Sequence, residues 1–476
     1  MDWPRLSTHT LTFSVLFVAA WLHAPVGVQA ATPLTVGPAG TYANIQDAID
    51  AAVVGEDTEI RVQGGGQTYF ENLQIPNSFT SGSIRLRGGW DATFNVNSDD
   101  PEDTIIDGGG GLRVLDVALG GGAFEIRDVT LTNGEAIQGA GVHVAPAGDA
   151  VVTLHNCWIT ENIATSAGDA LGGGIWALLS GSQELEIVEC MVMQNQSLST
   201  AGGLANAGGL GVIASGSSRV DIRETEFVEN HIGTAGASSA GAAMLLQLSE
   251  NAEADLEDSV VVGNTGTNSQ GQVLGTGSWV VTEGSAVLRV PRTVWANNEG
   301  VGGDVGPQFG STHRGQSSMR MSEAGIVQGD SEGLMIVAEE TSVVNLVNLT
   351  VADNPDIGLS LTEQGGGATL SLYNTIAFNN GTDLSTSGTV DAGFNLIGVD
   401  PLFINPSVFD YRLGIGSPAE NTGDNSPPGG LSTIDLDGNP RIQDGFVDIG
   451  ALEGIAEIFS DGFESNDTSA WSFSSP

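Results

Sequence analysis

Three acidic residues, Glu186, Asp221 and Asp255, occupy equivalent places in three similar segments, 35 and 34 residues apart. If these segments are neighbouring strands, the carboxylates lie about 5 Å apart and repel one another. Arginine or a divalent cation must then offset their charge, and Arg223 lies two residues after Asp221. The group is therefore either a catalytic or cation-binding face, or a solvated face with cross-strand arginine–carboxylate pairs. Structural ion pairs are commoner than active sites, which favours the second interpretation.

A second candidate for chemistry is the segment DLDGNP, which contains Asp435, Asp437 and Asn439. The alternating oxygen side chains match part of a calcium-binding loop, but the closing acidic residue of an EF-hand is missing. An ordinary turn rich in Asp and Gly is the preferred interpretation, and calcium stays an alternative. Four histidines outside the N-terminal leader are too scattered in sequence to indicate a zinc site. They are His143, His155, His231 and His313.

The elements that must position these residues are nine repeats, each centred on one anchor residue, which is polar or charged. Successive anchors are 25 to 35 residues apart, and the residues four and two places before each anchor are all apolar, as in Leu185 and Ile187. This alternation is typical of a strand with one buried face. The anchors are Asp128, Asn156, Glu189, Glu224, Asp258, Arg292, Glu323, Asn348 and Asn374.

Six residues after most anchors stands an asparagine, which we interpret as a second turn, since Asn tolerates left-handed backbone and bonds locally. If the repeats stack, these side chains form a ladder of amides from coil to coil. The column comprises Asn162, Asn195, Asn230, Asn264, Asn298, Asn354 and Asn380.

The two cysteines, Cys157 and Cys190, each follow an anchor directly and are 33 residues apart. Stacked repeats place them in one inward column with Cα atoms roughly 5 Å apart, a separation that a disulfide permits. Export favours oxidation, whereas in-register neighbouring strands give poor disulfide torsions. The alternatives, a disulfide or a pair of buried thiols that fill space, stay open at this point.

Each repeat is too small to bury its own interior, so the repeats must stack as a parallel β-solenoid with coils about 4.8 Å apart. Before the first regular coil, Ile45, Ala48, Ile49, Ala52 and Val53 recur at helical spacing. This pattern predicts an amphipathic helix that covers the open end of the apolar stack.

Five segments are expected along the chain. Residues 1–30 have an arginine, a short apolar run and small residues before Ala31, as in a secretory signal peptide. Residues 31–120 form the cap and irregular opening coils, 121–394 the regular coils, and 395–453 a β-rich C-terminal cover. Residues 454–476 are a polar tail, interpreted as a sorting or anchoring segment.

The composition excludes several classes of partner and mechanism. Acidic residues outnumber basic ones by 58 to 14, and the net charge is −44. Such a surface gains nothing from counterion release on nucleic acid, so nucleic acid is not expected as a partner. The chain has no lysine, which excludes a Schiff base or a lysine general base. No segment of the mature chain is long and apolar enough to predict a transmembrane span.

The repeats resemble the right-handed parallel β-helix proteins of the pectin-lyase-like superfamily over about residues 35–453. The resemblance implies an all-β fold, a right-handed single-stranded parallel β-helix with an N-terminal helical cap. The motifs FVEN and GGGI are also similar to polymorphic outer-membrane protein repeats, which belong to surface-exposed adhesins. In pectate-lyase-like enzymes, calcium-binding acids and an arginine base lie on such a sheet face. By that resemblance, Arg223 is the candidate base, and Glu186, Asp221 and Asp255 are the candidate acids.

We expect a secreted or cell-surface β-helix protein, non-catalytic, that recognises or adheres to glycans or cell surfaces. Loops of small residues along one side of a flat sheet suit an extended polymer or a cell surface. The alternative is a polysaccharide lyase or glycosidase that acts on an acidic polysaccharide at the face of Glu186, Asp221, Asp255 and Arg223. No cofactor is expected, apart from calcium as the open alternative.

Overall fold

The apolar positions before each anchor form parallel strands that stack from coil to coil. The computed structural model describes residues 32–236, 238–302, 304–443 and 445–454, and is about 50% strand and 3% helix. Leu185 and Ile187 pair in register with Val220 and Ile222, and all four side chains are buried. The fold is a right-handed parallel β-helix, so the predicted fold class is confirmed.

Within the described residues, the coils form four parallel sheets, and one antiparallel hairpin follows them. Sheet A has 23 strands, because most coils contribute two strands that meet at the anchor. Its strands are Leu34–Val36, Asp57–Gln63, Gln67–Phe70, Ser83–Trp90, Thr104–Asp107, Gly122–Thr132, Ala150–Thr160, Glu184–Val188, Met191–Met193, Arg219–Arg223, Glu226–Val228, Glu253–Glu257, Val260–Val262, Val287–Pro291, Val294–Ala296, Ser318–Ser322, Gly325–Val327, Val343–Val347, Thr350–Ala352, Thr369–Tyr373, Ile376–Phe378, Asp391–Gly393 and Leu396–Ile397.

The other sheets close each coil. Sheet B comprises Leu73–Ile75, Leu115–Val117, Val142–Val144, Ile175–Leu179, Leu210–Ala214, Met244–Leu248, Ser278–Thr282, Phe309–His313, Leu334–Glu339, Ile357–Gln364 and Thr382–Ser387. Sheet C comprises Glu135–Ala136, Ile163–Ser166, Gln196–Ser199, His231–Thr234, Thr265–Asn268 and Glu299–Val301. Sheet D comprises Ala170–Leu171, Ala205–Asn206, Ser239–Ala240, Gln272–Leu274 and Asp304–Val305. The hairpin joins Phe403–Asn405 to Asp410–Leu413, and short 3₁₀ helices span Pro101–Asp103 and Pro406–Val408.

Two left-handed residues bend each regular coil. The anchor is one of them, as at Glu189 with φ 54°, and the residue before the asparagine is the other, as at Gln194 with φ 55°. The prediction that the asparagines themselves make the left-handed turn is therefore wrong by one residue. Asn195 is fully buried, because its side chain points into the solenoid and bonds the next coil.

The asparagine column is a directional ladder of hydrogen bonds. From Asn162 to Asn298, the side-chain amide of each asparagine donates to the Oδ1 atom of the next asparagine in the column, as from Asn195 to Asn230 at 3.1 Å. The backbone N–H of Asn195 donates to the same oxygen at 3.1 Å. At the start of the ladder, the backbone N–H of Gly134 donates to the Oδ1 atom of Asn162 at 2.8 Å. At its end, the side-chain amide of Asn380 donates to the carboxylate of Asp383 at 3.0 Å. Each buried amide thus has partners, which removes the penalty of burying it.

Gln308, which belongs to the loop before a sheet B strand, fills a gap in this ladder. Gly329 occupies the column between Asn298 and Asn354 and brings no side-chain amide. The Oε1 atom of Gln308 accepts from the side chain of Asn298 at 3.1 Å, and its Nε2 atom donates to Asn354 at 2.8 Å. The glutamine reaches the column because its side chain is one methylene longer than that of asparagine.

Cys157 and Cys190 lie in one inward column, and both are free and buried. The backbone N–H of Cys157 donates to the Sγ atom of Cys190 at 3.4 Å. Burial is the main reason why the pKa of the Cys157 thiol is raised. Of the two alternatives, the structure contains the pair of space-filling thiols.

An N-terminal helix covers the first coil but is shorter than predicted. It spans Ile45–Asp50, and Ile45, Ala48 and Ile49 are buried. Val53 is 52% exposed, because the chain turns at Gly55, with φ 88°, into the strand Asp57–Gln63. Residues 34–117 already pair in parallel with the coils that follow, so the opening coils are more regular than expected.

Of the predicted cover, residues 395–453, Leu396–Ile397 is still a strand of sheet A, and the described residues after it lie on the outer side of the last coils. The hydroxyl of Tyr411 donates to Asp353 at 2.7 Å, and the side-chain amide of Asn374 exchanges two hydrogen bonds with the backbone of Asp424, 2.8 and 2.9 Å. The anchors Glu323, Asn348 and Asn374 are fully buried as a result.

Under the cover lies a buried cluster of charged side chains. Arg441 and Glu453 are each 1% exposed, and Nη1 of Arg441 is 3.0 Å from Oε1 of Glu453. Glu323, Asp435 and Asp448 are also buried and act electrostatically on Arg441. Burial raises the pKa of Glu453 to about 8 and lowers that of Arg441. The described part of the chain contains no helix with the length and apolar character of a membrane span.

Candidate functional site

The predicted acidic column is present on the outer face of sheet A. Glu186 pairs with Asp221, Asp221 with Asp255, and Asp255 with Arg289. Arg223 lies one column away and pairs with Glu257 on the next strand. The register therefore brings all four candidate residues together.

Each of the two central carboxylates of this column has arginine partners. Asp221 lies 3.0 Å from Nε of Arg223, and Asp255 lies 3.0 Å from Nη2 of Arg219 and 3.1 Å from Nη1 of Arg289. Glu186 accepts a hydrogen bond from Thr153 at 3.0 Å. Asp221 is thus paired within its own strand and Asp255 with arginines of both neighbouring strands, so that charge is offset locally.

The pKa of one arginine in this column reflects the pairing. Partial burial lowers the pKa of Arg289. Hydrogen bonds from its guanidinium to Asp255 and Glu253 raise this pKa by a larger amount, so the net shift is upward. In the neighbouring anchor column, the hydrogen bond to Asp258 is the largest cause that raises the pKa of Arg292. Both guanidinium groups are therefore held in the charged form, in which they balance carboxylates.

The second sequence candidate, Asp435 with Asp437 and Asn439, folds as a turn. Oδ1 of Asp435 accepts from the backbone N–H groups of Asp437 and Asn439 at 3.0 and 2.7 Å. Its Oδ2 accepts from the Asn439 side chain at 3.2 Å and from the N–H of Glu453 at 2.8 Å. Backbone and side-chain amides therefore occupy both carboxylate oxygens of Asp435, and burial raises the pKa of Asp437.

Among the described residues, no group of three or more His, Cys, Asp or Glu side chains is arranged to hold a metal ion. One histidine does have an acidic partner that sequence spacing did not reveal. Nδ1 of His143 lies 2.8 Å from Oδ1 of Asp116, and Nη1 of Arg113 donates to the same oxygen at 2.7 Å. The hydrogen bond to His143 is the largest cause that lowers the pKa of Asp116.

Two open depressions lie on the outer surface, one between sheet B strands and the first strand of sheet C and one on sheet C itself, and sequence reasoning missed both. The first has a volume of about 460 Å³, and the second about 410 Å³. The first is lined by Asn72, Leu73, Gln74, Gly111, Leu112, Arg113, Asp116, Glu135 and Ala136. The second is lined by Glu161, Ile163, Gln194, Gln196, Glu229 and His231.

One column of sheet C connects the two depressions. Glu135 pairs with Ile163, Ile163 with Gln196, and Gln196 with His231. We call this column, with the side chains that line both depressions, the polar track. At about 4.8 Å per coil, it extends roughly 20 to 25 Å along the axis.

The side chains of the polar track are mostly amides and carboxylates. Gln194 donates to Glu229 at 2.9 Å, and Nδ1 of His231 lies 2.8 Å from the hydroxyl of Thr265. Burial lowers the pKa of His231, so its imidazole is neutral at pH 7. In the second depression, the acidic lining residues are Glu161 and Glu229.

The columns five and seven places after each anchor are the sequence signal for this track. They read Glu161, Gln194 and Glu229 in the first and Ile163, Gln196 and His231 in the second. Amides and carboxylates repeated at regular intervals are suited to bind a sugar polymer by hydrogen bonds.

No family model matches the chain, and no curated protein matches it in sequence. Among solved structures, it is similar to YbhC of Escherichia coli, with 15% identity and a TM-score of 0.28, over 57% of this chain and 75% of that one. A pectin methylesterase from Aspergillus niger matches with 14% identity and a TM-score of 0.25, over 81% of this chain and 95% of the other. Its deglycosylated form gives 14% and 0.25, over 79% and 94%. Similarities this low say nothing about the activity of this chain, and its fold is assigned from the strand pairing described above.

Proposed function

We propose that this protein is a non-catalytic recognition protein that binds an extended glycan along the polar track. The observation that carries the proposal is the continuous column Glu135, Ile163, Gln196 and His231 between two open depressions. A track that repeats once per coil presents similar hydrogen-bonding groups at regular intervals, which suits a polymer with repeated hydroxyl groups.

The charge of the track indicates the class of glycan. The acidic lining residues Glu161 and Glu229 are exposed, burial lowers the pKa of His231, and the whole chain has a net charge of −44. A uronic-acid polymer would meet repulsion at such a surface, whereas a neutral or amino-sugar polymer would not. The expected ligand is therefore a neutral or amino-sugar glycan.

Binding of the mature chain to neutral, amino-sugar and uronic-acid polysaccharides tests the proposal. Replacing Gln196 with Ala removes hydrogen bonds worth about 1 kcal/mol in total, so affinity should fall about five- to tenfold. The matched control is Gln247→Ala, because Gln247 is exposed on sheet B. Equal affinities of both variants, or no binding to any polymer, would remove the proposal.

A second candidate function is a polysaccharide lyase on sheet A, favoured by the alignment of Glu186, Asp221 and Asp255 beside Arg223. This candidate requires an acidic polysaccharide as substrate. It predicts cleavage of a uronic-acid polymer, with or without calcium, that Arg223→Ala abolishes. Activity that survives the substitution would remove this site.

Export and a surface location are part of the proposal. Residues 1–30, which match a signal peptide, and residues 455–476 of the tail lie outside the described residues. We propose that the leader directs the chain out of the cytoplasm, and that adhesion at a cell surface is the setting of glycan recognition. The similarity to polymorphic outer-membrane repeats, through FVEN and GGGI, is consistent with this setting. Detection of the mature chain on intact cells by surface proteolysis would test it.

A further inference from the structure

The hairpin of the C-terminal cover has one face packed on the coils and one apolar face turned to solvent. Phe403 and Tyr411 point inward and contact each other edge to face, with ring centroids 5.1 Å apart. On the outer side and in the turn, Ile404 is 50% exposed, Val408 66% and Phe409 46%.

Exposed apolar side chains continue on both sides of the hairpin. Leu402 accepts a backbone hydrogen bond from Gly414 at 2.8 Å, which places Ile415 beside the hairpin with 84% exposure. Exposed apolar side chains grouped in this way mark interaction surfaces. We call Leu402, Ile404, Val408, Phe409 and Ile415 the outer hairpin face.

We propose that the outer hairpin face is the docking surface for the tail of the same chain, residues 455–476. The described chain ends next to this hairpin: Leu452 is buried in one cluster with Tyr411 and Phe403. Gly454 is fixed by a hydrogen bond from its N–H to Asp448 at 2.6 Å. The tail therefore starts from a fixed point beside the hairpin.

The composition and length of the tail match this surface. Its 22 residues include large apolar side chains at Ile455, Ile458, Phe459, Phe463, Trp471 and Phe473. Extended, 22 residues reach up to about 70 Å, so the first few residues suffice to pass around one hairpin. Arg412 lies on the outer side of the hairpin and is paired with Asp410, and the tail contains the acidic residues Glu457 and Asp461.

The tail is favoured over a second copy of the chain for two physical reasons. A covalently attached segment has an effective concentration in the millimolar range, far above that of a free protein. Two copies, each with a net charge of −44, repel each other. The tail has the high effective concentration, and its four acidic residues add far less repulsion than a second copy of the chain would.

Hydrogen–deuterium exchange of the mature chain, with and without residues 455–476, tests this proposal. Deletion of the tail should speed exchange in residues 402–415 by at least about tenfold and leave exchange in the asparagine ladder unchanged. Equal exchange in the two proteins would overturn the proposal. Protection that rises with protein concentration, together with a dimer mass in light scattering, would also overturn it in favour of a second copy.

A substitution tests the same contact from the other side. Ile404→Ser with Phe409→Ser in the full mature chain should make the tail peptides exchange and be cut by protease at least about tenfold faster. The matched control is Phe70→Ser, because Phe70 is 75% exposed near the other end of the solenoid. If Phe70→Ser speeds the exchange and cleavage of the tail peptides as much as the double variant does, the tail does not dock on the hairpin.

Discussion

The same outward columns of sheet A carry different residues in the open coils and under the C-terminal cover. Three places before the anchor, the open coils have Glu186, Asp221 and Asp255, whereas the covered coils have Asn345 and Ser371. Solvent screens a row of charges, but burial of unpaired charges is costly. Asn345 and Ser371 thus avoid a charge under the cover, whereas Arg320 in the same column keeps its charge and donates to the backbone oxygen of Gly429 in the cover at 3.0 Å.

Glu323 is the exception, since it is an acidic anchor that is fully buried under the cover. Its carboxylate accepts a hydrogen bond from Ser432 at 2.6 Å and interacts electrostatically with the guanidinium of Arg441. The covered region thus needs one arginine to offset several acids, whereas the open region distributes its pairs over many coils.

Replacing Arg441 with Ala should have the largest effect on this contrast. It leaves Glu453, Glu323 and neighbouring acids buried without a cation, which costs about 3–5 kcal/mol of unfolding free energy. Urea unfolding measures the loss. The control Arg412→Ala breaks an exposed pair with Asp410 and should cost less than about 1 kcal/mol. Similar losses in the two variants would contradict the difference between the regions.

Replacing Gln308 with Ala should separate the open and covered parts of the asparagine ladder. Amide donors of Asn298 and the Oδ1 atom of Asn354 then lose a buried partner, and we expect a cost of about 2–3 kcal/mol. Urea unfolding should show this loss, together with faster amide exchange at both asparagines. The exposed Gln247→Ala is the control, and an equal effect there would mean that Gln308 does not join the two parts.

Acidification should destabilise the coil that joins the two regions, through His313. Its imidazole is fully buried between Thr282 and Ser311, and burial lowers its pKa from 6.5 to about 3. Between these values the unfolded chain binds a proton that the folded chain does not, so stability is complete above pH 6.5 and falls as pH decreases. At pH 5 the loss attributable to His313 is roughly 2 kcal/mol.

His313→Gln isolates this contribution, because glutamine does not titrate. The difference in unfolding free energy between pH 7.5 and pH 5 should shrink by roughly 2 kcal/mol in the variant. Glu453, whose pKa is raised to about 8, acts in the opposite sense: its contribution is lost as pH rises from 4.5 through 8. An unchanged difference in His313→Gln would show that other groups control acid stability.

Replacing Arg223 with Ala should have a small effect in the open region. Arg223 is 44% exposed and its partner Asp221 13%, so the expected loss is less than about 1 kcal/mol. Thermal unfolding checks the stability. A loss near that of Arg441→Ala would mean that the open pairs are as critical as the buried cluster.

The cysteines should give the smallest effect in the native state. Because both are buried and free, a thiol reagent should modify neither in the folded protein and both after denaturation without reductant. Rapid labelling of either thiol in the native protein would contradict the burial, and an absence of labelling after denaturation would indicate a disulfide.

The register of the coils could be predicted from the sequence, since inward positions such as Leu185 and Val220 are apolar and evenly spaced. The asparagine ladder followed from that register, but Gln308 did not, because it enters the column from another sheet and carries no repeat signal. The neighbours Glu186, Asp221 and Asp255 were predicted correctly for the same reason.

The polar track and the C-terminal cover were harder to predict. Gln194 and Glu229 stand in a regular column, but side chains on a solvent face follow no apolar rule that would single them out. The partner of His143, Asp116, lies on the preceding coil, 27 residues earlier, in a part of the chain where no repeat was recognised. The cover was expected over residues 395–453, but its contacts with the last coils, such as that of Tyr411 with Asp353, follow no repeat.

The ladder that runs from Gly134 through the asparagines to Asp383 has one direction and two distinct ends. From Asn162 to Asn298 each asparagine accepts from the N-terminal side and donates toward the C-terminus, so a duplicated coil would fit between two of these neighbours without changing either end. Whole turns can therefore be added to or removed from this part of the molecule without breaking the ladder.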